Sequence, residues 1–193
     1  MTPGIDNFRR ILLGDLDNRA QIAAERAAGE QLHPYAKHVT REITDRIRNL
    51  PDEAGGIYVL EESYYQYPGQ EMTTKPLLFF IEPHGADSVL LSSLVVPERL
   101  DAWAVRNDNS ELYFDYAELR PNPWFGKALY AWHPEAGHFT VNHPCELGDG
   151  KRFSLIETLT PEALHVMELL ERDGQRLTPY ATPLIYRRIT DAD

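Results

Sequence analysis

The stretch GGIYVLEESYY, Gly55 to Tyr65, closes an apolar run with two adjacent carboxylates, Glu61 and Glu62, and then two tyrosines. A positioned carboxyl group can act as a general acid or accept hydrogen bonds from a ligand nitrogen. On a strand, neighbouring side chains point to opposite faces. Ile57, Val59, Glu61, Ser63 and Tyr65 then share one face, and Tyr58, Leu60, Glu62 and Tyr64 share the other. Both faces turn polar at the same place. Either the strand runs out into water there, or one face lines a cavity. The plainer alternative has one glutamate in solvent and the other paired with Arg41 or Arg46, because ionised carboxylates are seldom buried without a partner.

Other residues invite the same scrutiny. Tyr58, Tyr64, Tyr65 and Tyr67 could form an aromatic wall or simply populate half-buried strands. Trp124 and Trp132 share strand parity and could face the same interior, or pack in the core or at its rim. His133, His138 and His143 are spaced by five residues, which flips the face of a strand, so surface or turn positions fit them better than a metal site. Cys145 is the chain's single cysteine, two residues from His143. It is either a thiol that His143 could activate or a small buried residue. GDGK, Gly148 to Lys151, lacks the spaced first glycine of a phosphate loop, and there is no nucleophile elbow or zincin motif. No cofactor and no metal are assigned.

Composition sets limits around these residues. Acids outnumber bases 30 to 19 in 193 residues, for a net charge of -11, which argues against nucleic acid and anionic membranes as partners. One cysteine cannot form an internal disulfide. The N-terminus has no signal-peptide pattern and no apolar run is long enough to span a membrane, so the expected location is the cytoplasm. A homodimer is compatible with the sequence.

The elements that must position the candidates are mostly strands. Residues 1–31 read as a helical segment interrupted near Gly14, with Phe8, Ile11 and Leu12 on one face and an Ala-rich second half. HVTREITDRI fits helix and strand almost equally. From Gly55 onward, apolar alternation and turn residues recur about every ten residues, the rhythm of a sandwich or closed barrel. KRFSLIETLT alternates Phe153, Leu155, Glu157 and Leu159. Asp173-Gly174 marks a tight hairpin. PERLDAWAV, residues 97–105, is the one later helix candidate. The expectation is a single mainly β domain over 1–193: an antiparallel, calyx-like β-barrel of about eight to ten strands over 36–190, with the N-terminal helical segment packed outside. Such a barrel is filled by side chains or holds one small ligand.

Four pieces in order, LLGDLDNRAQ, IRNLP, VLEESYY and TKP, resemble the CpcT/CpeT family of bilin chromophore lyases and their relatives. The resemblance implies a calyx-like barrel, tips HVTREITDRI toward strand, and makes Glu61 the lumen-facing carboxylate with Glu62 outward. It carries over to Asn18, Gln21, Glu61 and the Lys75-Pro76 strand. It also implies a lyase that attaches a bilin to a phycobiliprotein cysteine. This chain has Leu77-Leu78-Phe79-Phe80 where the family has Tyr-Arg-Gln-Arg. Arginines suit a bilin's propionates, so their loss favours a binding protein for a small amphipathic or tetrapyrrole-like ligand over the lyase. A filled barrel serving as a protein-interaction module is the third option. The candidate ligand-binding residues are Glu61, Ser63, Tyr65, Arg41, Trp124 and Trp132, and no catalytic residue is assigned.

Overall fold

A computed structural model describes residues 3–190, and in it ten strands close into an antiparallel barrel. The strands are β1 (Gly14–Asp17), β2 (Tyr35–Glu42), β3 (Ile57–Gln66), β4 (Thr73–His84) and β5 (Ser88–Val95). They continue as β6 (Lys127–His133), β7 (His138–Gly148), β8 (Lys151–Leu159), β9 (Ala163–Arg172) and β10 (Leu184–Arg188). Each pairs with the next along the chain, and β10 returns to pair with β1. Closure leaves the barrel itself without an exposed edge.

Local chemistry explains most of these elements. The strands are rich in β-branched and aromatic residues and alternate in character. Asp173-Gly174 joins Arg172 to its partner Gln175 with φ of 50° and 77°, so both turn residues are left-handed, as a two-residue hairpin requires.

The helical segment is present as α1 (Pro3–Leu12) and α2 (Arg19–Ala27). Residues 1 and 2 of that expectation lie outside the described residues. The interruption at Gly14 is more than a break: Gly14, at φ 131°, leaves helical geometry and starts the barrel strand β1. α1 packs outside the strands and closes one end of the barrel. Its buried face carries Ile5, Phe8, Ile11 and Leu12. Phe8 meets Tyr130 and Phe139 edge-on, with ring centroids 4.9 and 5.0 Å apart. Arg188 of β10 ties the helix down by donating to the carbonyls of Leu13, at 2.8 Å, and Ile11.

A second apolar layer covers the outer wall. Ile43, Ile47, Val105, Leu112 and Phe114, from the two long connections, pack on Tyr58, Leu60 and Leu78 of β3 and β4. Residues 97–105 do not form the expected helix. They make successive turns, and the Asp101 side chain takes the Trp103 N–H at 2.9 Å, a local bond that competes with helix formation. With lumen on one side and this layer on the other, β3 is buried on both faces from Ile57 to Ser63. Its polar end does not run out into water.

Candidate functional site

The barrel encloses a cavity of about 500 Å³. Leu77, Phe79, Phe153, Leu155 and Val166 form an apolar lining, into which His38, Glu61, Ser63, Lys75, Glu157 and Glu168 project. Thr73 and Lys75, which are exposed, and Thr74, Asn122 and Phe125, which are partly exposed, lie at its rim, away from the end that α1 closes. A mostly apolar hollow with a few convergent polar groups is the usual form of a small-molecule site. A second hollow, of about 630 Å³ and more open to solvent, lies on the outer wall between Tyr58, Phe80, Tyr116 and Arg120.

The lumen's polar groups come from separate strands. On β3, Glu61 accepts from the Ser63 hydroxyl at 2.8 Å and from the Thr40 hydroxyl at 3.4 Å. His38 of β2 is 5% exposed and stacks on Tyr186 with ring centroids 4.3 Å apart. Neither of its ring nitrogens has a hydrogen-bond partner among the described residues. Nδ1 stands 3.6 Å from Glu61 Oε2, close enough for charge attraction but too long for a hydrogen bond.

On β8, Glu157 accepts from the Tyr130 hydroxyl at 2.6 Å. Burial pushes its carboxyl up to about 8; the Tyr130 bond opposes this, while the charges of Glu61 and Glu168 add to it. On β9, Glu168 accepts from Tyr65, which in turn accepts from Tyr186, both at 3.4 Å. Burial raises the Glu168 carboxyl as well, with Glu61 adding and His38 and Lys75 opposing. Glu157 and Glu168 keep some accessible surface, but it faces the cavity, and the dense wall around them makes desolvation the dominant influence.

This arrangement is suited to holding hydrogen-bond donors in a dry pocket. Cys145 adds no activated nucleophile to it. Cys145 Sγ and His143 Nε2 both turn to the Phe125 carbonyl oxygen instead of to each other. Burial, then the neighbouring Glu146, raises the Cys145 thiol, the opposite of activation. Among the described residues, no group of three or more His, Cys, Asp or Glu is placed to hold a metal ion, and no helix is long and apolar enough to cross a membrane.

Of the residues expected from sequence, Glu61, Ser63 and Tyr65 meet in the lumen. The other three do not join them. Arg41 has the opposite parity to His38 and Thr40, points outward, and donates to Asp15 at 2.5 Å. Trp124 is 63% exposed, in the loop beside the rim. Trp132 is on the inner face but packs on Phe139, ring centroids 4.6 Å apart, at the end that α1 closes. Glu62 points outward and yet is buried: it accepts from the Asn107 N–H at 2.7 Å, Arg106 at 3.0 Å and Tyr64 at 2.6 Å. The pairing with Arg41 or Arg46 is replaced by one with Arg106. Tyr58 and Tyr64 face the outer layer with it, so the four tyrosines form no single wall. Asn18 and Gln21 do structural work. Asn18 bridges Ala36 N–H and the Pro34 carbonyl, and Gln21 bridges Ile185 N–H and the Pro183 carbonyl.

His38, Glu157 and Glu168 were missed. For two of them the available signal was parity: Glu157 sits between Leu155 and Leu159 and Glu168 between Val166 and Leu170, whereas His38 lies between Ala36 and Thr40 and carries no such signal. Compared with known proteins, the chain matches no family model. It also matches no curated protein sequence.

Proposed function

We propose that the protein is a calyx that binds a small amphipathic ligand in its lumen, with tetrapyrrole-like compounds among the candidates through the resemblance to the CpcT/CpeT family. The observation that carries this reading is His38, buried against the cavity with both ring nitrogens unpartnered among the described residues, beside Glu61. Leaving a buried polar group unsatisfied costs about 1–3 kcal/mol. A barrel selected only for stability would fill the space with apolar side chains. A ligand with an apolar body and a hydrogen-bonding head satisfies both the lining and the polar groups.

Native mass spectrometry of the freshly purified protein tests this reading. A bound species that is lost on denaturation, and that is weakened by Glu61→Gln, supports the calyx. A bare chain mass in every preparation, with no small molecule able to enter the lumen, favours a filled interaction module.

A further inference from the structure

Resting on the calyx reading, the charge pattern of the lumen says more about the ligand. We infer that the lumen takes an amphipathic organic cation, an apolar body carrying a protonated amine or amidine head, and holds that head between His38 and the carboxylates of Glu61 and Glu168.

Three acidic side chains, Glu61, Glu157 and Glu168, line the cavity against one lysine, Lys75, which is exposed at its mouth. The lining contains no arginine. A ligand bearing its own carboxylates would meet this acidic cluster in a pocket of low dielectric, where repulsion is poorly screened. Glu61 and Glu168 lie close enough to Glu157 to disfavour its ionisation, so the cluster is electrostatically uncomfortable when empty. The Glu157 carboxyl, held up to about 8 and bonded by Tyr130, is mostly neutral near pH 7, which leaves Glu61 and Glu168 as the acidic groups beside His38 for a cationic head.

His38 adds an observation independent of the acids. It is 5% exposed, lines the cavity, and has no hydrogen-bond partner for either ring nitrogen among the described residues. A neutral imidazole has one acceptor nitrogen. Its Nδ1 lies 3.6 Å from Glu61 Oε2, so an imidazole nitrogen and a carboxylate oxygen stand side by side in the lumen without bonding each other. A primary ammonium carries three donors, enough for His38, Glu61 and Glu168 together. The surrounding Phe79, Phe153 and Leu155 suit the apolar body, and aromatic faces also favour a cation.

A matched trio of ligands tests this: 4-phenylbutylamine, 4-phenylbutan-1-ol and 4-phenylbutanoate, titrated calorimetrically into the full chain near pH 7.5 at low salt. The amine is expected to bind at least tenfold tighter than the alcohol, with the carboxylate weakest. Glu61→Gln and Glu168→Gln should each cost the amine fivefold or more and cost the alcohol less, so that the preference for the amine shrinks. If the amine is no tighter than the others, the cation assignment fails while the calyx reading survives, because the phenyl body still enters. If the amine is preferred but neither variant reduces the preference, it is binding the acidic surface and the assignment fails. If none of the three binds the wild-type chain or perturbs lumen resonances in NMR spectra, the calyx reading fails with it. The wild-type comparison stands alone should either variant not fold.

Discussion

Glu61 and Glu62, adjacent on β3, are 7% and 4% exposed and belong to different layers of the molecule. Glu61 faces the lumen, with two hydroxyl donors and an unbonded histidine nearby. Glu62 faces the covering segment and takes donors from Arg106, Asn107 and Tyr64. One carboxylate is incompletely satisfied by the protein and the other is well satisfied. That contrast separates a site from a structural tie.

Glu62→Gln should therefore cost about 1.5–3 kcal/mol, the range for hydrogen bonds to a charged group. Glu61→Gln should leave stability equal or slightly higher, since it removes a buried charge that few donors support. Urea melts of both variants check the pair. Equal losses would mean that Glu61 is as structural as Glu62.

Glu157 makes stability depend on pH. Its folded-state value near 8 lies above the ordinary 4.5, so the folded chain holds a proton that the unfolded chain releases. Stability from this group is fully present below about pH 4.5 and falls as pH rises toward 8. At about 1.4 kcal/mol per unit, the loss is at most about 4–5 kcal/mol. Glu157→Gln should flatten the decline and raise the melting temperature near pH 8. An unchanged pH profile in denaturant melts would place an ionised Glu157 in the native barrel.

Phe8 plugs the closed end of the barrel at 0% exposure. Phe8→Ala should cost about 3–5 kcal/mol, as large core truncations do. Hydrogen exchange should show α1 loosening before the strands. A cost under 1 kcal/mol would mean that α1 is dispensable for closure.

Gly174 at φ 77° occupies the second position of the β9 hairpin turn. Gly174→Val should cost roughly 1 kcal/mol or more, because a β-branched residue resists that conformation. A melting temperature equal to wild type would count against the turn.

Most of the barrel was legible in the sequence because the strands after Gly55 carry local signatures, such as the alternation along KRFSLIETLT and Asp-Gly at a turn; β1, four residues inside the expected helical segment, was not, and β2 was ambiguous. Glu61, Ser63 and Tyr65 were legible for the same reason, since one strand's parity fixes their common face. The rest of the site was not. His38, Glu157 and Glu168 lie on three further strands, and their meeting depends on how register carries around a closed sheet. Arg41 was misplaced by one position of parity, which is enough to turn a side chain outside. Burial of Glu62 was hidden because the segment that covers it starts more than thirty residues later and has no regular secondary structure to announce it.

A crystal structure of the freshly purified protein tests the central claim most directly. The account predicts an organic molecule in the lumen, with a donor within hydrogen-bonding distance of His38 or Glu61 and its apolar body against Phe79 and Phe153. A lumen closed by repacked side chains, or one in which ordered water alone satisfies His38 and Glu61, would contradict it.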